Sequence, residues 1–545
     1  EYSLTSMDLR ATVAYNADLG KTGDHILNLF AGSELNSTDR QAIWFRGWGY
    51  QYNNGGIPYV DYRLFKQSQE EGTDYYSNSF QYLRNLAFFG MATYSYKGRY
   101  TINGTLRYEG SNMLGKSRQA RWLPTWNVSG SWNAHEENWW APTFGKAWTY
   151  ASLKASYSLT ADRGPASNSL AVFQSFTPWR PSTSANESAI ILAALENSEL
   201  TYEKKNELNI GVALGFVDNR INVEFDWYRR NNFDLIGYTQ TMGVGGVTTK
   251  LANDATMEST GCEFTISTTN IKTKDFKWTT DWIFGWAENT ITKLDSRSQV
   301  YSLVNGVGRT EGRPIGALYS IPFAGLTEEG LPTFFIDAEH TQVVGPGNYA
   351  DIYFQEYENI DYLKYEGTID PKITGSFGNT FSWKGLKLNV FFTYSFGNVL
   401  RLDNLCPVYS SDYSDLTASM KEMKNRWMVP GDENVTTIPS IPTVRQMREI
   451  DALNNAYSAY NYSTERVAKG DFIRLKELSL AYDLPKKYFE GQNAVSSFGV
   501  KLSATNLWLA YADKKLNGRD PEYYNTGGVS SPVPRQFTLT VKLGF

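Results

Sequence analysis

The sequence predicts an all-β fold in which antiparallel strands form the wall of a transmembrane barrel. Three observations predict this fold. Hydrophobic residues alternate with polar ones, the alternating segments are long enough to cross a bilayer, and short and long connections take turns along the chain. A strand in a barrel wall puts every second residue into lipid, which produces such alternation. The composition agrees, because 36 Tyr, 29 Phe and 45 Gly in 545 residues suit strands and tight turns.

The alternation is clearest in the last segment of the chain. One face carries Phe537, Leu539, Val541, Leu543 and Phe545, and the other carries Gln536, Thr538, Thr540 and Lys542. We expect the first face to contact lipid and the second to face the lumen. About fifteen segments alternate in this way, and most approach the roughly 9–11 residues that cross a bilayer at a tilt. They lie near 3–15, 24–34, 84–96, 99–109, 122–133, 147–159, 204–216, 220–230, 258–269, 276–288, 372–383, 386–396, 472–482, 498–508 and 536–545.

The connections between these segments fall into two alternating classes. Short ones lie at 97–99, 217–219, 270–275 and 384–385, with longer members of the same series at 16–23, 134–146 and 483–497. Long ones lie at 35–83, 160–203, 231–257, 289–371, 397–471 and 509–535. Outer-membrane barrels have short periplasmic turns and long extracellular loops, which is the same pattern. No linker divides the sequence, so we expect residues 1–545 to form one barrel portion with long extracellular loops.

Composition argues against several other classes of protein. With 52 basic and 57 acidic residues and no basic cluster, the chain has no predicted nucleic-acid surface. Cys262 and Cys406 are interpreted as unpaired thiols, although one disulfide between them stays open. The three histidines, His25, His135 and His340, lie far apart and show no metal-ligand spacing. We therefore expect no catalytic residues, no metal site and no cofactor.

Several stretches of the sequence resemble a known family. The most specific are Gly470–Pro485 (GDFIRLKELSLAYDLP), Ser503–Trp508 (SATNLW), Asp520–Glu522 (DPE) and Pro534–Leu539 (PRQFTL). Glu199–Gly211, Gly367–Gly385 and Arg426–Gly431 add to them. In this order they resemble the C-terminal part of the barrel of SusC-type (SusC/RagA) TonB-dependent outer-membrane transporters. The resemblance covers residues 199–545, whereas residues 1–198 match only as generic barrel.

The resemblance implies a Gram-negative outer-membrane importer with a 22-stranded barrel and an N-terminal plug. It implies a SusD-like surface lipoprotein as partner, TonB as the source of energy, and oligosaccharides or oligopeptides as substrates. The chain shows neither plug nor TonB box, and its strands number roughly seven fewer than 22. We expect the plug and the remaining strands on another chain or outside this sequence. Counting back from a periplasmic C-terminus places Glu1 outside the cell.

Two groups of residues are candidates for function. Aromatic residues in predicted loops offer flat faces on which sugars or peptides can stack. They are Trp44, Phe45, Trp48, Tyr50, Tyr52 and Tyr59 in one loop, with Trp179 and Tyr409 in two others. Packing within small loop cores or against the lipoprotein also explains these aromatics, and buried aromatics in long ordered loops are common enough to favour that explanation over ligand contact. The last segment, with its terminal Phe545, resembles the signal that the barrel-assembly machinery reads, and it is also simply the closing strand.

Three alternative functions compete with this interpretation, and the sequence argues against the second of them. A passive porin made of this chain alone would need an even number of strands, and fifteen is odd. An outer-membrane enzyme would need a nucleophile and base in supporting positions, which the sequence does not show. A SusC-like barrel that serves as a structural component of a larger outer-membrane assembly would have the same sequence pattern.

Overall fold

The computed structural model describes residues 1–20, 23–58, 61–71, 73, 76–114, 121–164, 169–176, 189–243, 246–405, 421–485, 488, 495–523 and 534–544. The chain divides into two compact units. The first comprises residues 1–136, 154–208 and 230–256, and the second comprises 137–153, 209–229 and 257–545. In the described part of the chain, no helix has the length and apolarity needed to cross a membrane.

In the part of the chain that the structure describes, fifteen strands belong to one sheet, and their order in the sheet follows their order in the chain. They are β1 (Tyr2–Leu19), β2 (His25–Phe45), β3 (Tyr76–Tyr96), β4 (Tyr100–Ser111), β5 (Trp122–Asn133), β6 (Trp148–Asp162), β7 (Glu203–Phe216), β8 (Ile221–Gln240), β9 (Thr249–Lys272), β10 (Phe276–Leu294), β11 (Ile373–Trp383), β12 (Leu386–Phe396), β13 (Phe472–Asp483), β14 (Ser497–Ala512) and β15 (Gln536–Gly544). Each predicted segment overlaps one of them, which confirms the predicted fold class.

The predicted lengths of several strands are wrong. β2 continues to Phe45, β3 begins at Tyr76, and β8 continues to Gln240, so the connections predicted at 35–83 and 231–257 are shorter. At about 3.3 Å per residue, the 21 residues of β2 span roughly 70 Å, about twice a bilayer crossing. Outside the lipid both faces of a strand meet water, so the hydrogen-bonded ladder continues without alternation. That part of a strand carries no periodic signal in the sequence.

Cross-strand pairing in the second unit aligns the apolar residues into one face. Leu539 of β15 pairs with Leu502, Leu502 with Leu480, and Leu480 with Leu388. The next position of the last strand, Thr540, pairs with Lys501. Since residues directly opposite each other point to the same side of a sheet, apolar and polar side chains separate onto the two faces. This separation is what the alternation in the sequence predicts.

The short connections are tight turns. Between β11 and β12 only Lys384 and Gly385 intervene, with φ angles of 47° and 92°. Two consecutive residues with positive φ are typical of the hairpin turn whose twist matches that of the flanking strands. After β3, Lys97 and Gly98 also have positive φ. Glycine tolerates such angles, so the residue type and the turn geometry agree.

The first unit has a few short elements besides the sheet. A small hairpin pairs Tyr50–Gln51 with Ile57–Pro58 around a 3₁₀ turn at Tyr52–Asn54, and the helix Tyr62–Glu70 follows. Strands Val172–Phe176 and Ala189–Ala194 pair with each other. A small core contains Leu114, Leu200, Tyr202 and Ile236. The unit also contains a 3₁₀ turn at Ala134–Glu136.

In the second unit, two long connections fold together into a compact subdomain with its own hydrophobic core. Its helices are Val300–Val304, Val444–Glu449 and Leu453–Asn461. Its short strands are Ala317–Ser320, Phe323–Leu326, Pro332–Phe335, Val343–Val344, Lys364–Thr368, Val399–Arg401 and Val467–Lys469. Phe334, Tyr349 and Tyr460 are almost fully buried, and the Tyr349 hydroxyl donates to the Pro332 carbonyl at 2.8 Å. We call this the loop subdomain. The unit also contains the helix Trp140–Phe144.

Candidate functional site

The predicted loop aromatics lie in different settings. Trp44 lies in β2, one residue before its end, which corrects its assignment to a loop. Its strand continues because the backbone ladder to β3 continues, with Trp44 paired to Ser77. Trp48, Tyr50 and Tyr52 lie in the connection that follows β2, as predicted. Tyr59, Trp179, Tyr409 and Phe545 lie outside the described residues.

Arg46 joins two of these aromatics into one cluster. Its guanidinium carbon lies 5.0 Å from the centre of the Trp44 ring and 5.2 Å from that of the Trp48 ring. A guanidinium within about 6 Å of an indole face is held by cation–π attraction, and Arg also stacks on aromatic planes. Sequence reasoning missed Arg46, although the alternate positions 44, 46 and 48 were a signal that the three side chains meet.

Tyr50 and Tyr52 extend the aromatic surface along the small hairpin. Their ring centres are 4.8 Å apart and their planes are inclined by 69°, which is an edge-to-face contact. Tyr52 is 82% exposed, so the contact leaves most of its ring available to a ligand. We call Trp44, Arg46, Trp48, Tyr50 and Tyr52 the aromatic cluster. The indole Nε1 of Trp48 is buried and has no acceptor among the residues that the structure describes.

The face of β2 that carries Trp44 also carries charged residues closer to the middle of the strand. Glu34, on that face, lies 3.0 Å from a guanidinium nitrogen of Arg107, whose Nε lies 2.5 Å from Glu109. Arg10 of β1 pairs with Glu34 and contacts the face of Phe89 at 5.1 Å. This face is therefore polar and charged along the strand and aromatic at its end, as a surface that contacts polar ligands would be.

The last strand has the alternating geometry that the sequence predicts. Phe537, Leu539, Val541 and Leu543 are all largely exposed. They pair with Ala504, Leu502, Val500 and Phe498 of β14. Their common apolar face suits contact with lipid. The role of this strand as a barrel-assembly signal stays a prediction.

Buried arginines hold the loop subdomain together. Arg401 donates to the Ser320 hydroxyl and to backbone carbonyls of Ser463 and Val304. Its burial lowers the pKa of the guanidinium to about 10, so Arg401 is protonated at neutral pH. These hydrogen bonds take the place of those that the guanidinium would make with water, so its charge is tolerated there.

A second arginine links the two last long connections. Arg466 lies 2.6 Å from Glu422 and donates to the Asp403 carbonyl, also at 2.6 Å. Asn517, from the final long connection, donates to the other oxygen of Glu422 at 2.9 Å. Burial would raise the pKa of Glu422, but the hydrogen bonds from Arg466 and Asn517 outweigh it and lower the pKa. Nearby, Arg519 pairs with Asp403.

The predicted DPE motif makes a comparable contact with the sheet. Arg474 of β13 is buried and pairs with both Asp520 and Glu522 of that motif. The sequence indicated this motif only through the family resemblance. It did not predict the ion pair, because Arg474 and Asp520 lie 46 positions apart. The contact attaches the last long connection to the wall strand.

The RWMVPG motif forms a rigid turn at the surface of the loop subdomain. Asp432 accepts hydrogen bonds from the backbone N–H groups of Met428 and Val429. Inside the turn, the Trp427 indole donates to Glu433 and packs beside Gly330. Met428, Val429 and Val435 point outward and are exposed, Val435 by 83%. We call these three residues the apolar tip.

Over the described ranges, no group of three or more His, Cys, Asp or Glu residues could hold a metal ion. Cys262 is a free thiol, and Cys406 lies outside the described residues. Asp337, in the loop subdomain, has a lowered pKa because it accepts hydrogen bonds from Thr341 and Gln342, which is a structural role.

Comparison with known proteins identifies relatives. No family model matches the chain. Over 487 residues it is 26% identical to the TonB-dependent receptor P3 of Formosa agariphila, a match that covers 84% of this chain and 45% of that protein. It is 27% identical over 214 residues to the TonB-dependent receptor SusC of Bacteroides thetaiotaomicron, covering 38% and 21% of the two chains. The chain spans about half the length of the curated relatives it matches.

The fold comparison agrees. A structure of the RagAB peptide transporter superposes with a TM-score of 0.74 at 21% sequence identity, covering all of this chain and 56% of the other. At this identity the similarity concerns the fold.

Proposed function

We infer that this chain, an outer-membrane β-barrel protein of the SusC type of TonB-dependent transporter, takes part in active nutrient import. The substrates in this proposal are oligosaccharides or oligopeptides. The observation that carries it is the coincidence of two independent similarities. The sequence relatives are TonB-dependent receptors, and the fifteen-stranded sheet superposes on a peptide transporter.

In this proposal residues 1–545 supply the C-terminal portion of the barrel. TonB acts on a plug, and further strands complete the barrel. The chain itself performs no catalysis and needs no cofactor. Its relatives are receptors and a transporter, which supports a role in transport rather than in enzyme chemistry.

The aromatic cluster is the proposed ligand contact. Its exposed rings suit sugar rings or peptide side chains, which present flat apolar faces with polar edges. Trp44 and Trp48 are held in place by Arg46, so little side-chain freedom is lost when a ligand binds. Trp179 and Tyr409 remain candidates by sequence alone.

The apolar tip is the proposed contact for a SusD-like surface lipoprotein. Its turn is fixed by side-chain hydrogen bonds, and its three apolar side chains are exposed on the loop subdomain. Rigid, exposed apolar residues are typical of the centre of a protein interface. In this arrangement the lipoprotein lies over the long-loop side of the barrel, where substrate would arrive.

Uptake in cells tests the proposal. A strain that lacks the transporter is complemented with the wild-type gene, and uptake of labelled oligosaccharides and oligopeptides is measured with and without functional TonB. We expect uptake of one class of substrate that disappears without TonB. Uptake that persists without TonB would indicate a passive porin, and unchanged uptake in the deletion strain would indicate a structural role.

Two substitutions test the cluster itself. Trp44→Ala with Trp48→Ala should weaken substrate binding by about tenfold, since two stacking rings are lost. The matched control is Trp139→Ala, which removes an exposed tryptophan from the connection between β5 and β6. Equal binding by both variants would remove the aromatic cluster from the proposal.

A further inference from the structure

The face of β3 that is apolar within the membrane continues beyond the part of the strand that crosses it. Cross-strand pairs Phe88–Tyr108 and Tyr96–Tyr100 join β3 to β4. Counting the paired residues themselves, nine residues of each strand run from one pair to the other, about one bilayer crossing. The twelve residues of β3 from Tyr76 to Ala87 therefore extend past the crossing, on the side of the long loops. In the proposed function this side faces the cell exterior, and the inference rests on that orientation.

Aromatic side chains follow one another on this extension. Tyr76, Phe80 and Tyr82 occupy alternate-numbered positions and share a face with Phe88 in the crossing. Phe45 of β2 pairs with Tyr76 and adds a fourth ring. We call Phe45, Tyr76, Phe80 and Tyr82 the outer aromatic ridge. All four are more than half exposed, Phe80 and Tyr82 by 53% each. Such a patch outside the lipid signals a binding surface, because isolated exposed apolar residues are common but aligned ones are not.

The ridge combines flat rings with hydrogen-bonding groups. The Phe80 and Tyr82 ring planes differ by only 4°, with their centres 6.5 Å apart. Asp39 and Gln41 of β2 pair with Tyr82 and Phe80, so their side chains share this face. Arg84 lies 2.5 Å from Asp39 and 5.9 Å from the Tyr82 ring. A saccharide fits this arrangement, because its C–H faces stack on aromatic rings and its hydroxyls bond to carboxylate, amide and guanidinium groups.

A depression lies on the same face within the crossing. It has a volume of about 640 Å³ and its floor includes the small residues Ala31, Gly90, Ala92 and Gly104. Leu106 and Val128 border it. A Cβ atom placed on Gly104 would meet nothing within 4 Å, so the space is open. The apolar depression within the membrane suits an acyl chain, and the aromatic ridge outside the membrane suits a saccharide. A lipid that carries sugars would fit both.

We propose that this face binds an outer-leaflet glycolipid. Its acyl chain occupies the depression, and its saccharide stacks on the outer aromatic ridge. The face that contacts lipid is continuous from Ala92 through Phe88 to Phe80, which favours a membrane glycolipid over a free glycan. The site lies on the apolar side of the sheet, whereas the aromatic cluster proposed for substrate includes Trp44 on the polar side. The two sites are therefore distinct.

Binding to the purified, intact transporter tests the proposal. Affinity is measured by thermophoresis for lipooligosaccharide, for the same glycolipid with its outer sugars removed, and for the released oligosaccharide. Phe80→Ser with Tyr82→Ser should weaken binding of the complete glycolipid by about tenfold and leave the trimmed glycolipid unaffected. Gly104→Ile, which fills the depression, should weaken both. Tyr62→Ser, on an exposed helix, is the matched control and should change neither.

Three results would overturn the proposal. The first is unchanged affinity for the glycolipid in the ridge variant, and the second is equal binding of the released oligosaccharide and the complete glycolipid. The third is a ridge variant that loses a copurifying protein and keeps its glycolipid. Heat-modifiable migration on gels shows that each variant is folded. TonB-dependent uptake is measured in the same variants, so a failure of the proposed import function would be seen separately from a failure of glycolipid binding.

Discussion

Removal of the Arg466 side chain should destabilise the contacts around it in the loop subdomain. Arg466 is only 3% exposed, and its guanidinium lies 2.6 Å from both the Glu422 carboxylate and the Asp403 carbonyl oxygen. Arg466→Ala leaves Glu422, itself mostly buried, with the Asn517 amide as its remaining donor in the described contacts. Removing one partner of a buried ion pair costs about 3–5 kcal/mol. The cost should fall on the contacts between the last two long connections, since the wall strands do not depend on this pair.

Hydrogen–deuterium exchange on the intact protein measures this effect. Peptides that cover Lys421–Asn425, Thr464–Arg466 and Lys514–Leu516 should exchange about a hundredfold to several thousandfold faster in the variant, since each 1.4 kcal/mol or so is a factor of ten. Peptides from β13 and β14 should be unchanged. The control is Arg445→Ala, which removes an exposed ion pair to Glu449 on a surface helix. Such pairs contribute less than about 1 kcal/mol.

A double variant separates charge from packing. Arg466→Met with Glu422→Leu removes both charges and keeps similar volumes, and exchange should return towards the wild-type rate. If Arg466→Ala exchanged no faster than the Arg445→Ala control, the pair would contribute nothing and the reasoning would be refuted. If the single and double variants were equally labile, packing rather than an unpaired Glu422 would be the cause.

Three further predictions follow from other contacts. Because folding lowers the pKa of Glu422, its carboxylate stabilises the fold fully above the unfolded pKa of about 4.3, and this contribution is lost as pH falls through the lower pKa of the folded state. Exchange at Thr464–Arg466, corrected for intrinsic rates, should therefore rise below about pH 4. Gly330→Val should displace the Trp427 ring, because a Cβ there would overlap it and φ is +74°. Trp427 fluorescence should shift to the red, and Gly312→Val, whose Cβ site is open, is the control. Leu539→Arg should reduce assembly of the folded barrel, at a cost of about 2–4 kcal/mol on a lipid face, whereas Thr540→Arg should assemble normally.

The wall of the protein was predictable because its environment is periodic. Lipid on one side and polar surroundings on the other impose alternation on every crossing, and each of the fifteen strands carried that pattern. The extensions of β2 and β3 were not predictable in the same way. Both faces of the β2 extension carry polar residues, such as Asn36 and Thr38 on one face and Asp39 on the other, so no alternation marks the continuing ladder.

The long connections show where sequence reasoning stops. The loop subdomain depends on pairs distant in sequence, such as Tyr349 with Pro332 and Arg466 with Glu422, and no local pattern announces them. The aromatic composition of the candidate site was visible, but its geometry was not. Arg46 was overlooked because a single charged residue among aromatics is common, and only the two ring contacts distinguish it.

The tight turns constrain how the chain can change in evolution. Between β11 and β12 just Lys384 and Gly385 connect paired strands. One inserted residue that shifted the register by one position would exchange the two faces of a strand, moving polar side chains into lipid. Insertions and deletions should therefore accumulate in the long connections and be nearly absent from these turns. The loops of homologous chains should therefore differ in length on one side of the membrane only. New ligand specificities would arise on that side, while the turns on the opposite side keep a constant length.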